Sequence, residues 1–461
     1  MTLVLGIDSS TQSTKALLID ADTGRVVDSG RATHPDGTEV DPRAWLDAVD
    51  TATGNLSSRA AAMAVGGQQH GMVALDERDH VVRDALLWND TRSAPQASAL
   101  VREMGGPEAC VEELGYVLVA SMTSTKLRWM AENEPDNAAR TASVLLPHDF
   151  VARHLCGGGS PAFTDRGDAS GTGYYSMRTR SWDQDLVRQA VGHELALPTV
   201  APSPHTVMGH TPGGAVMAAG TGDNMAAALG LSLGPGDVSV SIGTSGVAAM
   251  VSDNRPADHS GTVTGFADAT GRFLPMATTL NAGRVLDFGC RMLGVDHDGL
   301  SALALSSRPG AGGVTLLPYL DGERTPNRPG ATGVFAGLTS ATGREDIARA
   351  CVEGLLASLA DAVAAVERVA GQEARRILLI GGGARSEAVR RLAPTVFGRP
   401  VVVPPPDEYV ARGAARQAAW ALTGEAEPPG WAMGGAQEFD AAPVPQVMET
   451  YLTLKERTAQ W

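Results

Sequence analysis

Val238-Ser-Val-Ser-Ile-Gly-Thr-Ser-Gly-Val-Ala-Ala-Met-Val251 divides into two short apolar runs around a tight turn of small and hydroxyl residues, Gly243-Thr244-Ser245-Gly246. The runs read as paired strands, and such a turn offers backbone amides to an anion. Near the start of the chain the pattern recurs. Leu3 to Ile7 and Ala16 to Ile19 are apolar runs, and Asp8-Ser-Ser-Thr-Gln-Ser-Thr-Lys15 lies between them, dense in hydroxyls and closed by a lysine. Thr11, Ser13 and Lys15 could face phosphate oxygens, and Asp8, where the first strand ends, is a natural holder of a hydrated magnesium ion. Ser/Thr turns are common, so either hairpin alone says little. Their placement in the two halves of the chain is what an internal duplication produces. Two related domains would then grip one nucleotide from both sides.

A chain of 461 residues exceeds one ordinary core, and 43% apolar with 19% charged residues marks a well-buried globular protein. The net charge of -15 argues against nucleic acid or an anionic membrane as partner, since both need a basic face. Cys110, Cys156, Cys290 and Cys351 have no metal-ligand spacing, which fits a reduced, cytoplasmic location. No apolar run is long enough to span a bilayer, and the strand-like run directly after Met1 gives no sign of a signal peptide.

The chemistry centres on Gly220-Thr221-Gly222-Asp223-Asn224. Ala215 to Ala219 reads as a buried strand and Met225 onward as a helix, with two glycines allowing a sharp turn between them. Asp223 is thereby held at a strand end and a helix mouth, where a carboxylate could take a proton from a hydroxyl. The plain alternative is that Asp223 only caps the helix.

Other segments supply the surroundings. Met63 to Gly67 reads as a strand ending at Gln68-Gln69-His70-Gly71, and Leu86 to Trp88 as another ending at Asn89-Asp90-Thr91-Arg92. Amide, imidazole and guanidinium groups at neighbouring strand ends suit a polyol, although an isolated histidine such as His70 is more often structural, and Trp88 reads as packing. Thr123 or Ser124 could cap a helix running to Asn133, another helix opens near His148, and Thr164 to Gly171 reads as a polar loop that could border the pocket. Gly230 to Gly236 looks like a domain boundary. Asp346 to Ala370 has apolar residues every three or four positions and alanine opposite, which predicts a helix packed on more than one face. Arg376 to Ile380 reads as a strand running into Gly381-Gly-Gly-Ala-Arg-Ser386, suited to close approach of a nucleotide, but it matches neither the dinucleotide nor the P-loop pattern. Beyond it lie a strand at Val401 to Val403, a stiff Pro404-Pro405-Pro406, a helix from Ala411 to Leu422, a loop from Glu425 to Gln437 and a final helix from Val447.

Taken together, both hairpins, the Gly-Asp-Asn turn and the Gly-Gly-Gly turn closely resemble the FGGY carbohydrate kinases, in order, from Gly6 to about Leu422. Ser121 to Asn133 fits one signature of that family, and Gly333 to Glu353 fits the other except at Cys351. The resemblance implies an α/β protein of two actin-like (ribonuclease H-like) ATPase domains, residues 1–231 and 232–461, facing each other across a central cleft. It implies ATP and Mg2+ and a small-molecule sugar as partners, with a homodimer as an assembly on which the residues themselves are silent. Carried over by position, Asp223 matches the catalytic base, and Gln69, His70, Asp223 and Asn224 match the sugar contacts. Asp8 matches the carboxylate near magnesium, while Gly243, Thr244, Ser245, Gly382, Gly383 and Ser386 match ATP contacts. Phe288 falls where relatives often place tryptophan near the adenine. The strings Gly-Gln-Gln-His-Gly, Leu-Pro-His-Asp and Pro-Tyr-Leu-Asp-Gly-Glu-Arg-Thr-Pro resemble members that phosphorylate D-xylulose to D-xylulose 5-phosphate, although many of those carry methionine where Gln69 stands. Ribulose, glycerol or another polyol as acceptor, and a non-catalytic actin-like nucleotide switch, are the alternative readings.

Overall fold

The structure is a computed structural model that describes residues 1–460. It is built on two seven-stranded mixed sheets. In the first, Leu3–Ser9 is antiparallel to Ser13–Asp20, which is antiparallel to Val26–Thr33. On its other side Leu3–Ser9 is parallel to Ala62–Gly67, which is parallel to Val216–Ala218 and to Thr221–Gly222. Val207–His210 closes that edge in the antiparallel sense.

The second sheet repeats this plan. Asp237–Ile242 is antiparallel to Gly246–Met250, which is followed by Phe273–Thr279 and Val263–Ala267. Its other side is parallel to Arg376–Ile380 and then Val401–Val403, with Gln437–Phe439 as the antiparallel edge. The two hairpins therefore occupy equivalent places in two equivalent sheets, as the duplicated pattern predicts. Leu3–Ser9 is apolar and buried for most of its length, as a central strand covered on both faces is, whereas Asp237–Ile242 alternates, burying Val238, Val240 and Ile242 and leaving Ser239 and Ser241 half-buried on its other face.

The 27-residue helix Arg344–Ala370 packs on the second sheet and on the helices Gly283–Leu293, His297–Ser306 and Glu387–Phe397. Most of its alanines are buried together with its larger apolar residues, as a helix packed on several faces requires. The helix Tyr409–Thr423 lies in sequence between two strands of the second sheet, Val401–Val403 and Gln437–Phe439, yet packs on the first, against Leu3–Ser9, Ala62–Gly67 and the helix Asp223–Gly230. The approach is backbone to backbone: a Cβ on Gly6 would stand 1.9 Å from Ala411 O, and one on Gly413 would stand 1.8 Å from Ala226 O. Ala411, Ala414, Ala415 and Ala418 are small for the same reason.

Three local expectations are corrected. The helix Thr123–Asn133 has Met122 as its N-cap and no side-chain cap, because the Thr123 hydroxyl donates instead to His70 O at 3.2 Å. Gln437–Phe439 is a strand at the end of the stretch read as loop, and the last helix begins at Pro445. The segment at Thr164 to Gly171 contains a turn of helix, Arg166–Ala169, capped by Asp165. Among the described residues no helix is long and apolar enough to cross a membrane, and all four cysteines are free.

Candidate active site

The strand Ala62–Gly67 delivers Gln69 and His70 at its end, and Thr221–Gly222 beside it delivers Asp223. Gly220 makes the corner at φ +74°, where a Cβ would sit 2.6 Å from Val65 O; only glycine fits. The helix Asp223–Gly230 begins with Gly222 as N-cap, and no side chain caps it. Asp223 is thus the first helical residue rather than the cap. Its Oδ1 accepts from the backbone N–H of Asn224 at 2.8 Å and from Asn224 Nδ2 at 2.9 Å. Its Oδ2 accepts no hydrogen bond from the described residues and is free for a ligand.

Burial pushes the Asp223 carboxyl up to about 7, with the carboxylates of Asp8 and Asp168 adding to the rise and the Asn224 donors opposing it. A group poised near neutrality is matched to proton abstraction at neutral pH. Asp8 is buried; its Oδ1 accepts from Ser10 Oγ, and its Oδ2 lies 3.5 Å from Lys15 Nζ. Burial raises the Asp8 carboxyl as well, against Ser10 and Lys15.

Asp8, Lys15, Asp223 and Asn224 line a cavity of about 650 Å³ whose far wall, Ser239, Ser241 and Gly381, comes from the second sheet. A second cavity of about 420 Å³ is lined by Gly243, Thr244, Gly382, Gly383 and Ser386. Gly382 and Arg385 border both, so the two are neighbours along one cleft. Thr11, Ser13, Ser245 and Phe288 line neither cavity. Thr11 Oγ1 accepts from Trp88 Nε1 at 2.9 Å, and Trp88 is 45% exposed instead of packed. Ser13 is buried in its strand, Ser245 closes its turn by accepting from Gly243 N at 3.1 Å, and the Ser386 hydroxyl accepts from Val389 N as a helix cap. Phe288 stacks on Phe335 with centroids 6.3 Å apart.

Gln69 is joined to the cavity through Asn224, whose Nδ2 donates to Gln69 Oε1 at 2.9 Å. Gln69 Nε2 is buried with no hydrogen-bond partner among the described residues, as is His70 Nδ1. The His70 ring lies 5.4 Å from that of Phe266, a residue of the second sheet. Burial, with the charges of Lys126 and Arg324 adding to it, holds its pKa down to about 3, so the ring is neutral. Orphaned buried donors and acceptors at one place mark a site built for a polar ligand.

Three charged groups here escaped the sequence reading. Glu408 Oε2 accepts from Lys15 Nζ at 2.7 Å and lines the larger cavity. Arg385 borders both cavities and lies within the glycine turn that drew attention only for its glycines. Arg324 comes from the second half of the chain and is felt electrostatically by His70. The Asp-Gly-Glu-Arg-Thr-Pro string containing Arg324 was the one visible signal.

Two sheets of one plan, a hairpin turn from each at a shared cleft, and a near-neutral carboxylate on its wall define a two-domain actin-like sugar kinase. Residues 3–230 match the N-terminal domain of the FGGY family of carbohydrate kinases, and residues 238–422 match its C-terminal domain. The chain belongs to the FGGY family of carbohydrate kinases. It is 47% identical over 438 residues to the xylulose kinase of Streptomyces coelicolor, covering 92% of this chain and 89% of the relative. It is 46% identical over 441 residues to the xylulose kinase of Streptomyces rubiginosus, with the same coverage of 92% and 89%. The crystal structure of xylulose kinase from Bifidobacterium adolescentis superposes with a TM-score of 0.92 at 46% identity, covering 98% of this chain and 99% of that one.

Proposed function

We propose that this kinase transfers the γ-phosphoryl group of ATP to D-xylulose, giving D-xylulose 5-phosphate, with Asp223 as the base. The observation that carries the reading is Asp223 Oδ2, unpartnered on a cavity shared by the two sheets. The sugar lies against Gln69, His70 and Asn224, and the nucleotide extends over Gly243, Thr244 and Ser245 toward Gly382, Gly383 and Ser386. Lys15 and the turn that carries Thr11 face the phosphates, while Ser13, buried in its strand, holds that turn by accepting from Ser10 N. In a loose phosphoryl-transfer transition state the proton of the nucleophile leaves late, so aiming the hydroxyl matters more than strong basicity. Closure of the cleft would exclude water as a competing acceptor.

Among the described residues no group of three or more His, Cys, Asp and Glu side chains is arranged to hold a metal ion. The donor set nevertheless fits magnesium, which commonly takes one or two carboxylates plus substrate phosphates and water. Asp8 is the carboxylate that would meet it, and when bound the ion would neutralise charge on the phosphates. Residues 1–231 and 232–461 are the proposed domains, a division supported by the two family matches; residue 461 itself lies outside the described residues. Pentose catabolism in the cytoplasm is the proposed setting. The test is a panel of ketoses and polyols with ATP turnover as readout: D-xylulose should give the highest kcat/KM, and a clear preference for glycerol or L-ribulose would refute the substrate assignment.

A further inference from the structure

Against the back of the Gly220–Asp223 turn lies a buried ionic cluster that the proposed reaction leaves unused. His148, in the first turn of the helix Pro147–Leu155, is fully buried. Its Nδ1 stands 2.6 Å from Asp168 Oδ2 and its Nε2 stands 3.1 Å from Asp149 Oδ1. The residue fills space that two glycines leave open. A Cβ on Gly220 would lie 2.7 Å from His148 Cδ2, and one on Gly67 would lie 2.7 Å from His148 Cβ. Gly67 ends the strand that delivers Gln69 and His70, and Gly220 begins the turn that delivers Asp223. One side chain therefore abuts both strand ends of the sugar pocket.

The neighbouring turn of helix ties in the rest. Asp165 Oδ1 accepts from Asp168 N at 2.8 Å, and Asp165 Oδ2 accepts from Thr221 Oγ1 at 2.7 Å, two residues before Asp223. Gly171, at the end of this segment, sits so close to the His70 ring that a Cβ would fall 2.3 Å from Cε1. The ionisable groups facing His148 are Asp149 on its own helix and Asp165 and Asp168 on the adjacent segment. Although burial works against the charge, these carboxylates push His148 up to about 9 and keep it an imidazolium.

Stability does not account for such a cluster. Buried ion pairs rarely outperform well-packed apolar side chains, and here the His148 Nε2–Asp149 Oδ1 pair lacks hydrogen-bond geometry and Asp168 Oδ1 has no hydrogen-bond partner among the described residues. We propose that His148 and Asp168 are positioning residues for phosphoryl transfer: the pair, with the Asp165–Thr221 bond, braces Gly67 and Gly220 from behind and so fixes Asp223 relative to the sugar hydroxyl. This rests on the reading of Asp223 as base.

The test is steady-state kinetics on His148→Ala, His148→Asn, Thr221→Val and Asp223→Asn, with melting temperatures measured in parallel. Asparagine keeps a neutral donor toward Asp168. His148→Ala should lower kcat roughly 30- to 100-fold while KM for ATP changes less than about twofold, the size of effect that a small misplacement of reacting groups produces. His148→Asn should recover about tenfold of that loss, and Thr221→Val should lower kcat about three- to tenfold with an unchanged melting temperature. If His148→Ala does not fold, the Asn and Val variants carry the test. The proposal is overturned if Asp223→Asn is inactive while His148→Asn and Thr221→Val both retain wild-type kcat, or if folded His148→Ala equals His148→Asn. An active Asp223→Asn instead removes the base assignment, and this proposal with it.

Discussion

Asn224 Nδ2 donates to Gln69 Oε1 at 2.9 Å, so a residue at the end of one strand and a residue in the first turn of a helix hold each other's orientation at the wall of the cavity. The bond leaves Gln69 Nε2 as a buried donor without a protein partner. Replacing Gln69 by methionine, the residue expected there from the resemblance, deletes that donor and frees Asn224. Gln69→Met should raise the sugar KM about 3- to 10-fold, the worth of one hydrogen bond, and leave KM for ATP unchanged. A coupled assay with each substrate varied in turn reads both; an unchanged sugar KM would place Gln69 outside the site.

The turn Gly243-Thr244-Ser245 has room for a side chain in the protein itself, since the nearest atom to a Cβ on Gly243 is Ser245 O at 3.4 Å. Gly243→Val should therefore fold normally, yet crowd the place where a nucleotide must approach the backbone. Calorimetry should find ATP binding lost and sugar binding kept. ATP binding as in the wild type would remove this turn from the nucleotide site.

His70 combines two roles that the sequence set against each other. Its ring is packed on Phe266 like a core residue, and its Nδ1, set against Gly171, has no hydrogen-bond partner among the described residues. His70→Ala should both cost about 1–3 kcal/mol of stability and raise the sugar KM. With a pKa held down to about 3, the ring contributes no ionisation to the pH–rate profile between pH 5 and 8. Loss of stability with intact kinetics would leave only the core role.

Much of this was legible because it is local. A buried apolar run, a turn of glycines and hydroxyls and a second run state their hairpin outright, and the two hairpins did fall at equivalent places in two like sheets. Asp223 could be located from five residues, since Gly220 and Gly222 have no other local use. What escaped depends on contacts between distant segments. The alanine-rich run near Ala411 announces a helix but not the sheet it covers, and only Gly6, Ala226 and Gly230 across the interface explain its small residues. Glu408 and Arg324 are ordinary surface-type residues until the chain brings them to Lys15 and His70. His148 looked like a helix opening because its partners, Asp168 and Gly220, lie elsewhere in the sequence. Thr123 failed as a cap because its hydroxyl found the His70 carbonyl.

The raised pKa of Asp223 carries a pH dependence of definite sign. A base must be ionised, so kcat/KM should fall as pH drops below about 7. For stability, a carboxyl raised from 3.8 to about 7 favours the folded state fully below pH 3.8, and that contribution is lost as pH rises through about 7. Asp223→Asn should thus melt higher than the wild type above pH 7, with the gain shrinking as pH falls toward 4. Melting curves across that range check it, and a gain that is independent of pH would contradict it.

The base assignment itself is tested most directly by the kcat of Asp223→Asn at saturating D-xylulose and ATP. Asparagine preserves shape and suits a helix start as aspartate does, so fold and much of the sugar affinity should survive. The account predicts a loss of about 10³-fold or more in kcat, including the loss of ATP hydrolysis to water. A folded Asp223→Asn enzyme that keeps about a tenth of wild-type kcat would contradict the assignment, because loss of a base acting in the transition state costs at least about 10²-fold.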